Sequence, residues 1–553
     1  MHAKIKKKGK DMMKSRFLMT LTLALLVSCA SFLTGCTKDN IVPPEEESEE
    51  VVKTAREVLS EIKGVTIIDD DKDVDGNDII KFFFEQPVDH KNPAAGKFSQ
   101  YCVLHYKGPK NITFLHTQGY SITTSEKEKV RQMDLAKLLD ANYLEVEHRY
   151  YYYSTIGLDD VDTDKIPSDR VKGDYWQYNT AEQSTADLHD IATAMKKSGS
   201  FNGKWVSSGV SKNGILTALY AYFYPNDVDV YVPFCAPFCD GLETSGIGQW
   251  LTQESGGKGT ALQQDVWNVL RRMSTDQTLR EELTKLYKEE YGNDKAIQKY
   301  SVSTAMCVLI YNYMKNMFHN FCYHPTNEWD GVIPREGCNA ELYYGFITLG
   351  RKDYWTRLNN LRILWDEKEI KENDEYENET YDDYENEEDW DFDEDTESQS
   401  KRRAGSWTLT FSGFLNTIYF VHAAKELGYF LYDWSILPEN SMSESLMKWM
   451  INQQTVTRYN KWYEVEYDGG KMMKGFLDFV KNNRNKEKCK MLFVYGGNDP
   501  WTGAAIPDPD KDDPYVKKYV VPNGTHNAWL TYPNYYTAQD RYYIVNTVKE
   551  WLK

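Results

Sequence analysis

A doubly wound, mostly parallel α/β sheet carrying a large helical insertion is the architecture that the sequence predicts, and three observations predict it. Strand and helix signals alternate between Gly119 and Phe234. Amphipathic helical stretches then replace them over 241–470, and two further strand signals resume after Cys489. Alternating strands and helices build a parallel sheet covered on both faces. At 553 residues the chain is too long for one ordinary core, and its 41% hydrophobic and 14% aromatic content is enough to build two.

Taken in order, 4–16 is a basic stretch and 17–33 an apolar one, and Leu33-Thr-Gly-Cys36 has the small residues found just ahead of a lipid-modified cysteine. Residues 1–35 therefore read as a lipoprotein signal peptide with Cys36 as the lipid attachment site. A membrane span fits less well, because the run is short and interrupted by Ser28, Cys29, Ser31 and Thr34. An acidic linker is expected over 36–75. The first half of the sheet domain, 76–240, opens with strand signals at 79–84, 98–106 and 112–116, joined by short turns that suggest antiparallel hairpins at a sheet edge. A helix at 135–139 and a strand at 143–147 follow. Thr180-Ala-Glu-Gln183 is a capping box opening a helix with Leu188, Ile191, Ala192 and Met195 on one face.

The insertion 241–470 shows amphipathic runs at 266–270, 279–286 and 306–318, and reads as a helical cap over the C-terminal ends of the strands. Within it, 366–397 holds 19 acidic residues against two lysines, a net of −17 out of the chain's −19. Its low complexity predicts a disordered, solvated loop over 366–400, and it has no EF-hand spacing. The rest of the chain is nearly neutral, which argues against nucleic acid as a partner. The second half of the sheet domain is 471–553, ending in a helix whose Ile544, Val548, Trp551 and Leu552 face the sheet. Setting aside Cys29 and Cys36, seven cysteines remain, an odd number that leaves at least one thiol free. Cys235 and Cys239 are the only close pair. With no second Cys or His cluster at ligand spacing, they read as a disulfide or buried thiols, and neither metal nor cofactor is expected.

Three loops carry the chemistry. In 204–214, Lys-Trp-Val-Ser-Ser-Gly-Val-Ser-Lys-Asn-Gly, a strand signal meets a helix signal at Ser211, between Gly209 and Gly214. That is the pattern of a nucleophile elbow, in which glycines permit a strained turn and the next N–H can face an oxyanion. In 490–501, a buried strand stops at a glycine turn and delivers Asp499; after a strand at 519–521, Pro522-Asn-Gly-Thr-His526 delivers His526. The order Ser211, Asp499, His526 is that of an α/β-hydrolase triad, each member on a loop past a strand's C-terminal end. The expected oxyanion donors are the backbone N–H of Lys212 and that of Gly119 or Tyr120 in the loop after the 112–116 strand. His116 reads as a strand-end core histidine, and Glu147, His148 and Arg149 as a buried ion-pair network.

Several stretches resemble the serine exopeptidases typified by prolyl carboxypeptidase and dipeptidyl peptidase, and more closely the mycelial tripeptidyl aminopeptidase family. They are Phe84-Glu-Gln-Pro-Val-Asp-His90 with Phe98-Ser-Gln-Tyr101, Glu147-His-Arg-Tyr-Tyr151, Tyr178-Asn-Thr-Ala-Glu-Gln183 with Ala186-Asp-Leu188, Gly209 to Gly214, Ala236-Pro237, and Asn498-Asp-Pro-Trp501. The resemblance implies an α/β-hydrolase with a helical cap inserted between the nucleophile and the Asp/His strands, Ser211, Asp499 and His526 as triad, and release of di- or tripeptides from substrate N-termini. Asn213 stands where relatives carry glycine, and Thr117-Gln-Gly-Tyr-Ser121 lacks the acidic residue that follows glycine in them. The expectation is an envelope lipoprotein of a bacterium, anchored to a membrane and acting on peptides. An esterase on the same fold and a non-catalytic surface binding lipoprotein are the alternatives, and the complete set of triad residues weighs against the second.

Overall fold

The structure is a computed structural model and describes residues 53–73, 76–122, 132–158, 166–250, 261–324, 332–349, 408–409, 411–431 and 455–553. The expected signal segment, Cys36 and the acidic run 366–397 lie outside them.

Nine strands form one sheet: β1 (Val65–Lys72), β2 (Asp78–Pro87), β3 (Lys97–Tyr106), β4 (Thr113–Thr117), β5 (Asn142–Val146), β6 (Trp205–Val210), β7 (Val230–Phe234), β8 (Met491–Gly496) and β9 (Val516–Val521). Their spatial order is β1-β2-β3-β5-β4-β6-β7-β8-β9. The pairs β1–β2, β2–β3 and β3–β5 are antiparallel, and the remaining five are parallel. This is the α/β-hydrolase arrangement, with the expected antiparallel edge. Period-two alternation sends successive side chains to opposite faces. In β8, Met491, Phe493 and Tyr495 join the core under helices Ala181–Lys197 (α1), Lys212–Phe223 (α2) and Lys471–Asn482 (α3), whereas Leu492 and Val494 join the core under the C-terminal helix Ala538–Leu552 (α4). Ile544 and Val548 of α4 are buried there as the sequence predicts, with Trp551 and Leu552 packed against them.

The expected linker boundary at residue 75 is wrong. A helix spans Ala55–Glu61, held by a full capping box between Thr54 and Glu57, and β1 follows it. The helix buries Ala55, Val58 and Leu59. In β1 most side chains remain in solvent, since it is an edge strand rich in aspartate, and that is why its alternation is faint in the sequence. The capping box expected at Thr180 is half present. Thr180 Oγ1 accepts from Gln183 N–H (3.3 Å), but the Gln183 side chain turns away, donating to Asp89 Oδ1 and accepting from His90 N–H.

The inserted region is mostly helical where it is described, apart from the two-residue strands Glu243–Thr244, Thr408–Leu409 and Tyr429–Phe430, with Ala261–Thr275, Gln277–Glu290, Val302–Tyr323, Ala340–Ile347 and Phe411–His422 packed into a third apolar cluster. All seven cysteines among the described residues are free thiols.

Of the expected network of Glu147, His148 and Arg149, only Arg149 enters a buried ion pair among the described residues, and its partner is Asp187. Arg149 Nε and Nη2 reach the two Asp187 oxygens at 2.8 and 2.6 Å, and both side chains are fully buried. Removing one partner of such a pair costs about 3–5 kcal/mol. Glu147 accepts from Ile122 N–H, Ser154 N–H and Ser154 Oγ; burial nonetheless pushes its carboxyl up to about 8. His116 lies between Tyr143 Oη (2.8 Å) and Glu145 Oε1 (3.2 Å), a strand-end histidine in a polar network.

His90 joins Asp187 from the other side, with Nε2 2.8 Å from Oδ1. Burial alone would lower its pKa, but the hydrogen bonds to Asp187 and Asp190 outweigh it and raise it from 6.5 to about 9. A raised folded-state pKa gives stability that is complete below about 6.5 and is lost as pH climbs through 9. Urea unfolding of wild type and His90→Gln should therefore show a stability gap at pH 6 that closes by pH 9.5; a gap independent of pH would contradict this.

Candidate active site

Ser211 is the residue between β6 and α2, with φ 60° and ψ −125°. This is the conformation of the first central residue of a type II′ turn, which side-chain-bearing residues rarely adopt. Two backbone bonds hold it, Ser211 N–H to Phe234 O (2.9 Å) and Ile215 N–H to Ser211 O (2.9 Å). The flanking glycines are needed for closeness. A Cβ on Gly209 would lie 2.6 Å from Asn213 Cβ, and one on Gly214 would lie 2.6 Å from Phe234 O.

Asp499 follows β8 and caps the short 3-10 turn Pro500–Ala504, its Oδ1 accepting from Trp501 N–H at 3.0 Å. Its Oδ2 lies 2.7 Å from His526 Nδ1, in the loop after β9. Asp499 is fully buried and His526 is 8% exposed. A carboxylate against Nδ1 fixes the tautomer with the proton on Nδ1 and leaves Nε2 free to accept. The strand order sets the Ser211 turn at the end of a nearby strand. Ser211 bonds Phe234 O, and the next residue, Cys235, has its Sγ within 4.8 Å of donor atoms of Asp499 and His526.

The loop after β4 lies against this elbow, as expected, but one assignment is overturned. Gly119 N–H already donates to Asn213 Oδ1 at 2.6 Å, with Gln118 Oε1 at 3.1 Å, so it cannot serve as an oxyanion donor. Lys212 opens α2 directly after Ser211, and its side chain reaches the Tyr120 ring. Tyr120 O accepts from His148 N–H, and the Lys212 side chain is buried. Its Nζ sits 5.0, 4.9 and 5.5 Å from the ring centroids of Tyr120, Tyr151 and Tyr419, a tyrosine cage for a buried ammonium. His148 and His422 stand nearby, their rings 5.8 Å apart. Burial, reinforced by the Lys212 charge, drives both well below the usual histidine range, so they are neutral at neutral pH.

The cap closes on the triad loops. His526 N–H donates to Cys322 O (2.7 Å) at the end of the helix Val302–Tyr323, and Phe318 packs edge-on against Trp501 at 5.3 Å. Cys322 Sγ lies 4.0 Å from Asp499 Oδ1. The lysine cage and the two thiols beside Asp499 were missed in the sequence. They are assembled from positions hundreds of residues apart, and no local spacing announces them.

The PS-10 peptidase S37 family model matches residues 48–251. The match covers under half of the chain. The prolyl tri/tetrapeptidyl aminopeptidase of Streptomyces mobaraensis is 27% identical over 179 residues, covering 32% of this chain and 33% of the relative. The chain thus matches about a third of that relative's length. The family match takes in Ser211 and ends before Asp499 and His526, which stand on geometry. Among solved structures, a proline iminopeptidase from Mycobacterium smegmatis is similar over 85% of this chain and 98% of its own, at 10% identity and a TM-score of 0.29. Feruloyl esterase B from Aspergillus oryzae is similar over 83% and 79%, at 9% identity and a TM-score of 0.31. Likenesses this distant carry no argument about activity.

Asn213, where the resemblance leads one to expect glycine, accepts from Gly119 N–H. Asn213→Ala should cost about 1 kcal/mol of stability, the usual worth of one such bond, read from chemical denaturation. A loss below about 0.3 kcal/mol would show the Gly119 contact to be dispensable.

Proposed function

We propose that the chain is a serine peptidase that releases di- or tripeptides from the N-termini of peptide substrates, with Ser211 as nucleophile, His526 as base and Asp499 as orienting carboxylate. The observation that carries it is the 2.7 Å Asp499–His526 contact beside the strained Ser211 turn. The S37 match and the named activity of the Streptomyces relative support the substrate class.

The geometry suits acyl transfer. Ser211 Oγ attacks the scissile carbonyl while His526 Nε2 takes its proton, and Asp499 stabilises the resulting imidazolium. The imidazolium then protonates the leaving amine, and water repeats the sequence on the acyl-enzyme. Oxyanion donors in this reading are Lys212 N–H and Tyr120 N–H. The caged Lys212 ammonium adds a fixed positive potential next to the turn, and in a water-poor site such charge favours a developing oxyanion. In this reading the cap shuts one end of the cleft, and the free N-terminal ammonium of the substrate is met there by carbonyls or a carboxylate.

Ser211→Ala should lower turnover of a good peptide by at least about 10³-fold with the fold intact. Acetylating the peptide's N-terminus should lower kcat/KM by at least about tenfold, the loss of one charge-assisted contact. Mass spectrometry should show one short N-terminal product. Equal cleavage of free and blocked peptides at scattered bonds would replace exopeptidase by endopeptidase. Hydrolysis of short-chain esters alone would make it an esterase.

A further inference from the structure

The triad does not require the thiols that surround it. Cys235, on the residue after β7, is fully buried with φ 47°, a left-handed backbone at a residue that bears a Cβ. Its thiol is directed at Thr525 O and Asn527 O (3.6 and 3.7 Å), the carbonyls bracketing His526. The donor atoms of Cys235, Asp499 and His526 all lie within 4.8 Å of one another, and all three residues are buried. Cys322, brought in by the cap, places a second sulfur 4.0 Å from Asp499 Oδ1. A thiol that only filled space would be better served by a residue without backbone strain.

We propose that Cys235, Asp499 and His526, closed by Cys322, form a binding site for a borderline-soft divalent cation of the zinc type, and that occupancy switches the triad off. Sulfur, imidazole nitrogen and carboxylate are the donor set of zinc, whereas calcium and magnesium take oxygen alone. Zinc bond lengths at tetrahedral angles place donor atoms about 3.4–3.6 Å apart. The donor atoms of Cys235, Asp499 and His526 therefore need to close by about 1 Å, with Cys322 following from its 4.0 Å separation from Asp499 Oδ1. Binding exchanges protons only: the cation displaces the thiol protons to solvent, the His526 proton moves from Nδ1 to Nε2, and nothing is oxidised or reduced. Asp499 then holds a cation where it held the imidazole N–H, and His526 can no longer accept the serine proton. The site joins the cap to the sheet domain, so an occupied site also pins the cap helix Val302–Tyr323 shut.

The inhibitory half of this inference rests on the proposed peptidase reading, and the metal half does not. Metal-free full-length protein is titrated with zinc against a chromophoric chelator, and with cobalt while thiolate-to-cobalt absorbance is followed in the near ultraviolet. One zinc per chain and a thiolate–cobalt band are expected, with peptide turnover falling in step with occupancy and returning on chelation. Cys235→Ala and Cys235→Ser should weaken zinc binding by at least about tenfold, the low end even for outer partners of a metal site. They should also weaken the cobalt band, since Cys322 still supplies one thiolate, and raise the zinc concentration for half-inhibition by the same factor, whatever their own turnover. Should Cys235→Ala fail to fold, Cys235→Ser and Cys322→Ala carry the test through the cobalt band. Unchanged zinc affinity in these variants, or no stoichiometric binding to wild type, overturns the site. Binding with an intact band but full turnover overturns the switch. If no peptide is turned over at all, the peptidase reading fails while the binding titration still decides the metal site.

Discussion

The site depends on a single strained turn. Ser211 occupies a backbone conformation that costs free energy, of order 1–3 kcal/mol, and it persists because Phe234 O accepts its N–H from the neighbouring strand. That bond ties the end of β6 to the end of β7. It also sets where Cys235 starts, and Cys235 N–H in turn bonds Val494 O on β8. From there β8 runs on to Asp499 and β9 to His526. Three loops far apart in the sequence meet because four parallel strands end at the same level. Glycine at 209 and 214 is the steric condition for this, since any side chain there would strike Asn213 or Phe234 O.

Around that turn the molecule buries charge in an organised way. On one side Arg149 and Asp187 neutralise each other, with His90 and Gln100 attached, and hold the hairpin edge to α1. On the other, Lys212 is buried among three tyrosines, one of them, Tyr419, supplied by the inserted region. Burial of His148 and His422 keeps these imidazoles neutral, so they add no second positive charge to the pocket. Closure of the cap and polarity of the site are therefore linked through the same aromatic side chains.

Much of this was legible in the sequence because it is written in local pattern. Gly209 and Gly214 around Ser211, the strand-then-turn at Asp499 and the strand-then-loop at His526 each advertise themselves within a dozen residues. The alternation in 491–495 and the apolar face of the C-terminal helix are of the same kind. What escaped is non-local. Thr54 and Glu57 do form a local signal, but the strand after them exposes its aspartates and looks like linker. Gly119 looked free to bind an oxyanion because Asn213, 94 residues on, is what takes its N–H. Cys235 was compared with Cys239, four residues away, whereas the fold brings it to Asp499 and His526 instead.

The central claim is that Ser211 is made nucleophilic by His526, oriented in turn by Asp499. The most direct measurement is the rate and location of covalent labelling by a fluorophosphonate, a reagent that needs no knowledge of the substrate. The account predicts a single adduct, carried by the peptide that contains Ser211. In Asp499→Asn, with the histidine tautomer no longer fixed, labelling should slow by at least about 100-fold. An adduct on another residue, or equal labelling rates in wild type and Asp499→Asn, would contradict it.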